Sequence, residues 1–172
     1  MAPPLDRLFL DCSIDNLRKY TERIGVCVGK LDAGQIWMRG SEGENAVGNL
    51  VLHLCGNVQQ WIVAGVGRQP DTRDRDAEFD ARGGMAPADL MARLRETVEQ
   101  AAAVIGAVTA ERLAERLVVQ GYDVSVLEAI YHVVEHFSHH TGQILFATKA
   151  FTGEDLGFYR HLSKAAHGET TP

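Results

Sequence analysis

The most constraining feature of this chain is a row of apolar positions between residues 123 and 151. They recur at alternating steps of four and three, the spacing of side chains along the seam of a helical bundle. The row consists of Val126, Ile130, Val133, Phe137, His140, Ile144, Ala147 and Phe151. The segment therefore predicts a long helix in which His140 occupies a position that faces the core.

Three further segments have the same helical periodicity. Residues 5–28 and 46–66 predict two helices, and Pro87 suits the first turn of another, whose apolar face continues to Val108. No segment shows sustained alternation of apolar and polar residues, which is the pattern of a strand. We therefore predict an all-α four-helix bundle, in which residues 109–119 form a short helix or an irregular crossover.

The size of the chain fits one domain. Domains commonly contain about 100 to 150 residues, and 45% of this chain is hydrophobic, as is usual for a globular protein. We therefore predict a single helical domain over residues 1–172.

Residues 68–84 form the most charged stretch, with four arginines among four aspartates and one glutamate before a Gly-Gly pair. Such balanced charge is typical of an exposed, ion-paired loop. The alternative is that Arg73 or Arg75 holds an anionic cosubstrate.

The charge of the chain limits its partners and its location. A net charge of -6 without a basic stripe opposes nucleic-acid binding. No stretch approaches the roughly 18 apolar residues of a membrane span, and residues 1–10 lack the apolar run of a signal peptide. Cys12, Cys27 and Cys55 suit neither a disulfide framework nor a Cys-x-x-Cys motif. We therefore expect a cytoplasmic protein that binds neither nucleic acid nor membrane.

Histidines are concentrated on the last helix, where four of the seven lie between Tyr131 and His140. Residues four apart on a helix differ by about 40° and stand one turn apart, so two such imidazoles can share one metal ion. The helical wheel separates the four. His132 and His139 lie opposite the apolar face together with Glu128 and Glu135, and we expect them to face solvent.

The remaining two histidines point obliquely into the predicted bundle. His136 lies on the border of the apolar face and His140 lies within it, while His53 lies on the flank of the apolar face of the second helix. Three neutral imidazoles would leave at least one coordination position open, as in catalytic metal sites. Asn57 and Gln143, one turn beyond His53 and His140, are candidates for orienting these ligands. The alternative is a bundle without metal, in which the histidines are packing residues.

Four stretches of the chain form a combination that is fairly specific. They read Asn49-Leu-Val-Leu-His53-Leu-Cys-Gly-Asn57, Asp74-Arg-Asp-Ala-Glu-Phe79, His136-Phe-Ser-His-His140-Thr-Gly-Gln143 and Thr152-Gly-Glu-Asp-Leu-Gly-Phe-Tyr159. In this combination the chain resembles the DinB-like metal-binding four-helix bundles, and the resemblance spans nearly the whole chain, from the first helix to Tyr159. The resemblance implies a bundle with a long crossover connection that forms homodimers. It also implies one divalent metal ion, such as zinc, nickel or iron, held by His53, His136 and His140.

The resemblance implies less about the reaction. Relatives include transferases that use low-molecular-weight thiols, which favours a metal-dependent enzyme in which such a thiol, or metal-bound water, attacks a small electrophile. The alternative is a non-catalytic, metal-binding or stress-related bundle. Glu135 points to the polar face, so the sequence identifies no general base and no catalytic residue.

Overall fold

Four long helices dominate the computed structural model of this protein, which describes residues 2–163. All four helices that the sequence predicts are present. They are α1 (Leu5–Val28), α3 (Val47–Val58), α5 (Pro87–Gly106) and α6 (Val126–Thr152). Residue 1 and residues 164–172, which the single-domain prediction includes, lie outside the described residues, and that prediction stays a prediction.

The four helices enclose one apolar core. Both α1 and α3 pack against α5 and α6, so α1 lies diagonally across the bundle from α3, and α5 from α6. Each helix contributes fully buried side chains, among them Leu17, Leu54, Leu94 and Phe137. Burying one such side chain stabilises a fold by about 1.5–3 kcal/mol. The prediction of an all-α bundle is confirmed, and the connections from α1 to α3 and from α5 to α6 both cross the bundle.

The ends of α6 explain why its histidines have a fixed orientation. The Ser125 hydroxyl accepts a hydrogen bond from the Glu128 backbone N–H, and the Glu128 carboxylate accepts one from the Ser125 N–H. Gly153, with φ of 68°, terminates the helix in the left-handed conformation that favours glycine. The apolar row of α6 is buried from Val126 to Ile144 except at His140, which is half-buried.

The connections contain elements that are too short for sequence periodicity to reveal. Residues 32–45 include α2 (Ala33–Trp37), and α4 (Arg75–Asp80) interrupts the charged stretch. The prediction of a short helix or irregular crossover at 109–119 is partly wrong. A 3₁₀ turn (Glu111–Ala114) is followed by a hairpin of β1 (Arg116–Val119) and β2 (Tyr122–Ser125).

The hairpin turns at Gln120 and Gly121, which both have positive φ, as a two-residue hairpin turn requires. Its strands have four residues each, which is too few to produce a recognisable alternation of apolar and polar residues.

The second long helix changes its hydrogen-bonding pattern after Val58. Residues Gln59–Val66 form a π-helix, which ends at the last residue of the helix predicted over residues 46–66. A π-helix is rare and often occurs at functional sites, because it shifts the side chains that follow it around the helix axis. Among residues 2–163, no helix is both long and apolar enough to cross a membrane.

Candidate metal centre

The three histidines that the sequence singles out converge between α3 and α6. Nε2 of His136 lies 3.1 Å from Nε2 of His53 and 3.1 Å from Nε2 of His140. The ligand atoms of all three lie within 4.8 Å of one another. His53 is buried, while His136 and His140 are half-buried. The structure therefore brings the predicted ligands together, although their role as ligands stays a prediction.

Hydrogen bonds on the far side of two of these rings fix their tautomers. Nδ1 of His53 lies 3.0 Å from the Glu78 carboxylate, and Nδ1 of His140 lies 2.6 Å from the side-chain carbonyl of Gln143. Both partners are acceptors, so each Nδ1 carries the hydrogen and each Nε2 presents a lone pair to the centre. Arg73 Nη2 also lies 3.1 Å from Nδ1 of His53, but it donates to Glu78 at 2.9 Å.

The arrangement fits a divalent cation. If Nε2 of His136 carried a hydrogen, it could donate to only one of the two neighbouring lone pairs. A cation would satisfy all three nitrogens, and two imidazole nitrogens bound to one ion at about 2.0–2.1 Å lie at most about 4.2 Å apart. The separations of 3.1 Å are compatible with that limit. Imidazole suits zinc, nickel, iron and copper alike, so the ligand set does not select among them.

The surroundings keep His136 and His140 in the neutral form that binds metal. Burial, and after it the neighbouring His140, His53, His132 and Arg73, lowers the pKa of His136 to about 3. Burial also lowers the pKa of His140, despite the opposing hydrogen bond to Gln143. Neutral imidazoles need no deprotonation before they coordinate an ion.

A buried ion pair between Arg73 and Glu78 lies on the Nδ1 side of His53, and the sequence did not predict it. Glu78 is buried, and the Arg73 side chain is only 2% exposed. Arg73 donates to both carboxylate oxygens of Glu78, from Nε at 2.8 Å and from Nη2 at 2.9 Å. Burial alone would raise the pKa of Glu78, but the hydrogen bonds from Arg73 and His53 outweigh it and hold that pKa below its usual range.

The prediction of an exposed loop over residues 68–84 is therefore wrong for Arg73 and Glu78. The charged stretch folds back onto α3, where Gly56 makes room for it. A Cβ atom added at Gly56 would lie 1.8 Å from the Glu78 carboxylate. The signal that could have identified Glu78 is its place in the stretch 74–79, which resembles the DinB-like bundles.

A chain of hydrogen bonds continues from Arg73 to the β-hairpin. Arg73 Nη1 donates to the Gln60 side-chain carbonyl at 3.0 Å, and Gln120 at the hairpin turn donates to the same oxygen at 2.6 Å. The Gln60 amide in turn donates to Asp71 at 2.7 Å. The π-helix, the charged stretch and the hairpin are thus connected to His53 through side chains far apart in sequence.

The remaining sequence predictions at this site have mixed outcomes. Gln143 contacts His140 as expected, and His139 and Glu135 are exposed. Asn57 is buried, but in the described part of the chain it makes no hydrogen bond to any of the three histidines. Glu78, which comes from α4, occupies the Nδ1 side of His53, so the prediction that Asn57 orients this ligand is not supported.

The prediction that His132 faces solvent is wrong. Its ring is half-buried and lies 4.2 Å from the Trp61 ring, which in turn contacts Tyr122 at 6.4 Å. The His132 ring also lies 5.6 Å from that of His136. The helical wheel gave the direction of His132 from the axis of α6, but it could not show that Trp61 from the π-helix covers that side.

The helical bundle of this chain has counterparts among known proteins. The chain belongs to the family described as "Protein of unknown function (DUF1572)", a DinB-like family whose model matches residues 5–165. The resemblance in the sequence is thus confirmed.

Solved structures show the same fold. A conserved protein from Enterococcus faecalis superposes with a TM-score of 0.73 at 15% identity, covering 89% of this chain and 100% of its own. A DinB-like protein from Bacillus subtilis superposes with a TM-score of 0.65 at 15% identity, covering 86% of this chain and 96% of its own. The search of curated proteins found no match.

Proposed function

We propose that this protein is a divalent-metal-dependent enzyme of the DinB-like type, in which a small thiol or water attacks a small electrophile. The observation that supports the proposal is the convergence of three Nε2 atoms, two of them on rings whose Nδ1 hydrogens are held by Glu78 and Gln143. His53, His136 and His140 would hold the ion.

The ligand set suits catalysis better than a closed structural site. A divalent ion bound to three neutral histidines keeps its full positive charge and an open position, where it supplies a Lewis acid that lowers the pKa of a coordinated thiol or water. Glu78 keeps the hydrogen of His53 on Nδ1, and Gln143 does the same for His140. The half-buried His136 and His140 leave the centre within reach of a small molecule.

The walls of the centre are aromatic. The Phe79 ring lies 4.8 Å from the His53 ring, and the His132 ring, which packs against Trp61, lies 5.6 Å from the His136 ring. Aromatic walls limit the access of water, which strengthens electrostatic interactions within the site. They are also suited to binding the apolar part of a small electrophile.

A non-catalytic metal-binding role is the second candidate, and one observation favours it. Among the described residues, the carboxylate hydrogen-bonded to a member of the triad is that of Glu78, which contacts His53 and is also engaged by Arg73. It is therefore not free to act as a general base. In this alternative, the ion would serve to join α3 to α6.

Metal analysis followed by a turnover assay distinguishes the two roles. The purified protein would be analysed for bound metals, reloaded separately with zinc, nickel and iron, and incubated with 2-mercaptoethanol and an aromatic chloride. The proposed enzyme forms the thioether, or hydrolyses the chloride without thiol, and His140→Ala abolishes the activity. Bound metal that raises the thermal midpoint without any turnover would favour the second candidate. Failure to bind a divalent ion at micromolar concentration would overturn both.

A further inference from the structure

Two successive ring contacts connect Arg75 to His53 of the candidate metal centre. On α4, Arg75 and Phe79 are four residues apart and share one side of the helix, and the guanidinium carbon lies 4.9 Å from the Phe79 ring centroid. The Phe79 ring lies 4.8 Å from the His53 ring. The distance from the guanidinium carbon to the centre of the His53 ring cannot exceed the sum of these two separations, which is about 10 Å.

Arg75 differs from the three other arginines of the charged stretch. Arg73 is engaged by Glu78, Arg68 pairs with Glu115, and Arg82 donates to backbone carbonyls of residues 79–81. No ion pair joins Arg75 to a carboxylate within residues 2–163, and its guanidinium contacts the face of the Phe79 ring. Stacking on a ring leaves the N–H donors of a guanidinium free for a planar anion.

Within residues 2–163, the neighbouring acids form no ion pair with Arg75. Asp71 accepts from Gln60, Asp74 caps the first turn of α4, and Glu78 is paired with Arg73. The other two acids of α4, Asp76 and Asp80, lie about 100° and 140° around the helix from Arg75. The arginine and the free carboxylates therefore lie on different sides of this helix.

We propose that Arg75 recognises the anionic end of the molecule that the metal centre takes. The ligand class is a small organic molecule that has a metal-binding group, such as a thiol, at one end and a carboxylate at the other. The inference rests on the proposed function and narrows it to an acidic ligand. Phe79 contacts both the guanidinium and the His53 ring, so the chain between the two ends of the ligand would lie along the Phe79 ring.

Two matched thiols test this inference. The full-length, zinc-loaded protein would be titrated calorimetrically with 6-mercaptohexanoate and with 6-mercaptohexanol, which differ in the carboxylate alone. We expect the acid to bind about fivefold more tightly, the factor that one exposed ion pair provides at the upper end of its range. The Arg75→Gln variant should lose this preference, and Arg68→Gln, which removes an arginine paired with Glu115, should retain it.

Several results would overturn the inference. They are equal binding of both thiols by the unchanged protein, absence of binding by either, and a preference that persists in Arg75→Gln. Bound zinc, measured in the same samples, separates this failure from that of the proposed function. If the unchanged protein holds zinc but binds both thiols equally, this inference fails while the metal centre stands, whereas a protein without zinc contradicts the proposed function itself.

Discussion

At the scale of single residues, Glu78 has the largest influence on the candidate centre. Its carboxylate accepts from Nδ1 of His53 and is held by two hydrogen bonds from Arg73. A carboxylate behind a ligating histidine fixes the ring and increases its basicity. Removing the charge of Glu78 would also leave the Arg73 guanidinium buried without a counterion, which is costly.

We therefore expect Glu78→Gln to lower the free energy of unfolding by about 3 kcal/mol and to weaken zinc binding at least tenfold. Urea denaturation of the metal-free protein and a competitive zinc titration would measure the two effects. Glu135→Gln, which changes an exposed carboxylate next to His136, is the matched control. Equal behaviour of the two variants would show that the ion pair behind His53 has no such role.

His136 makes the stability of the metal-free protein depend on pH. Its pKa is about 3 in the folded state and about 6.5 when unfolded. The unfolded chain therefore binds a proton that the folded chain does not, and stability falls as pH drops below about 6.5. Glu78 has a pKa lowered from 4.5, so its contribution is lost only at lower pH.

Between pH 7 and pH 5, protonation linked to His136 should lower the free energy of unfolding by roughly 1 kcal/mol. This value allows for solvent screening of the half-buried ring. Urea midpoints of the metal-free protein at the two pH values measure the loss, and His136→Gln should reduce it. A protein that is more stable at pH 5 than at pH 7, or a variant with an unchanged dependence, would contradict the prediction.

At the scale of elements, the sequence predicts the long helices, because their apolar positions repeat over several turns. The segment 123–151 predicted from the apolar row corresponds to α6, which begins at Val126 because Ser125 and Glu128 cap it, and ends before Gly153. Its orientation then follows, so His136 and His140 could be placed on the correct side of the helix in advance. The short α4 and the hairpin have too few residues to show a period, so their contacts could not be predicted.

Gly56 shows how closely α4 approaches α3. A methyl group at this position would collide with the Glu78 carboxylate, so Gly56→Ala must displace α4 or the carboxylate. We expect a loss of about 1–3 kcal/mol in the free energy of unfolding, together with weaker zinc binding.

Gly142→Ala is the control for this substitution, because nothing lies within 4 Å of a Cβ atom at that helical position. Replacing a glycine within a helix by alanine should stabilise the protein by about 0.5–1 kcal/mol when there is space. Urea denaturation compares the two variants. If Gly56→Ala stabilises the protein as much as Gly142→Ala, the close contact between α4 and α3 is wrong.

At the scale of the whole molecule, the class of fold could be predicted because four amphipathic helices have few ways to bury their apolar faces. The polar network from Gln120 to His53 could not be predicted. Three of its hydrogen bonds join residues 60, 13 and 25 positions apart, which become neighbours only after the connections fold across the bundle.

The whole chain is expected to form a homodimer, a proposal that rests on the resemblance to DinB-like proteins. Large apolar side chains on α6 remain exposed in the single chain, among them Leu127, Tyr131 and Phe146. Apolar surface of this kind is often covered by a partner. Sedimentation equilibrium at micromolar concentration should give twice the mass of the 18.8-kDa chain, and the mass of the monomer would contradict the proposal.

The metal content of five single histidine variants tests the central claim most directly. His53→Ala, His136→Ala and His140→Ala each remove a nitrogen from the centre and should empty it. His132→Ala and His139→Ala should leave the content unchanged, since the first of these rings packs against Trp61 and the second is exposed. Circular dichroism would confirm that each variant retains its helices. A site that is emptied by His132→Ala but remains full in His140→Ala would contradict the assignment of the ligands.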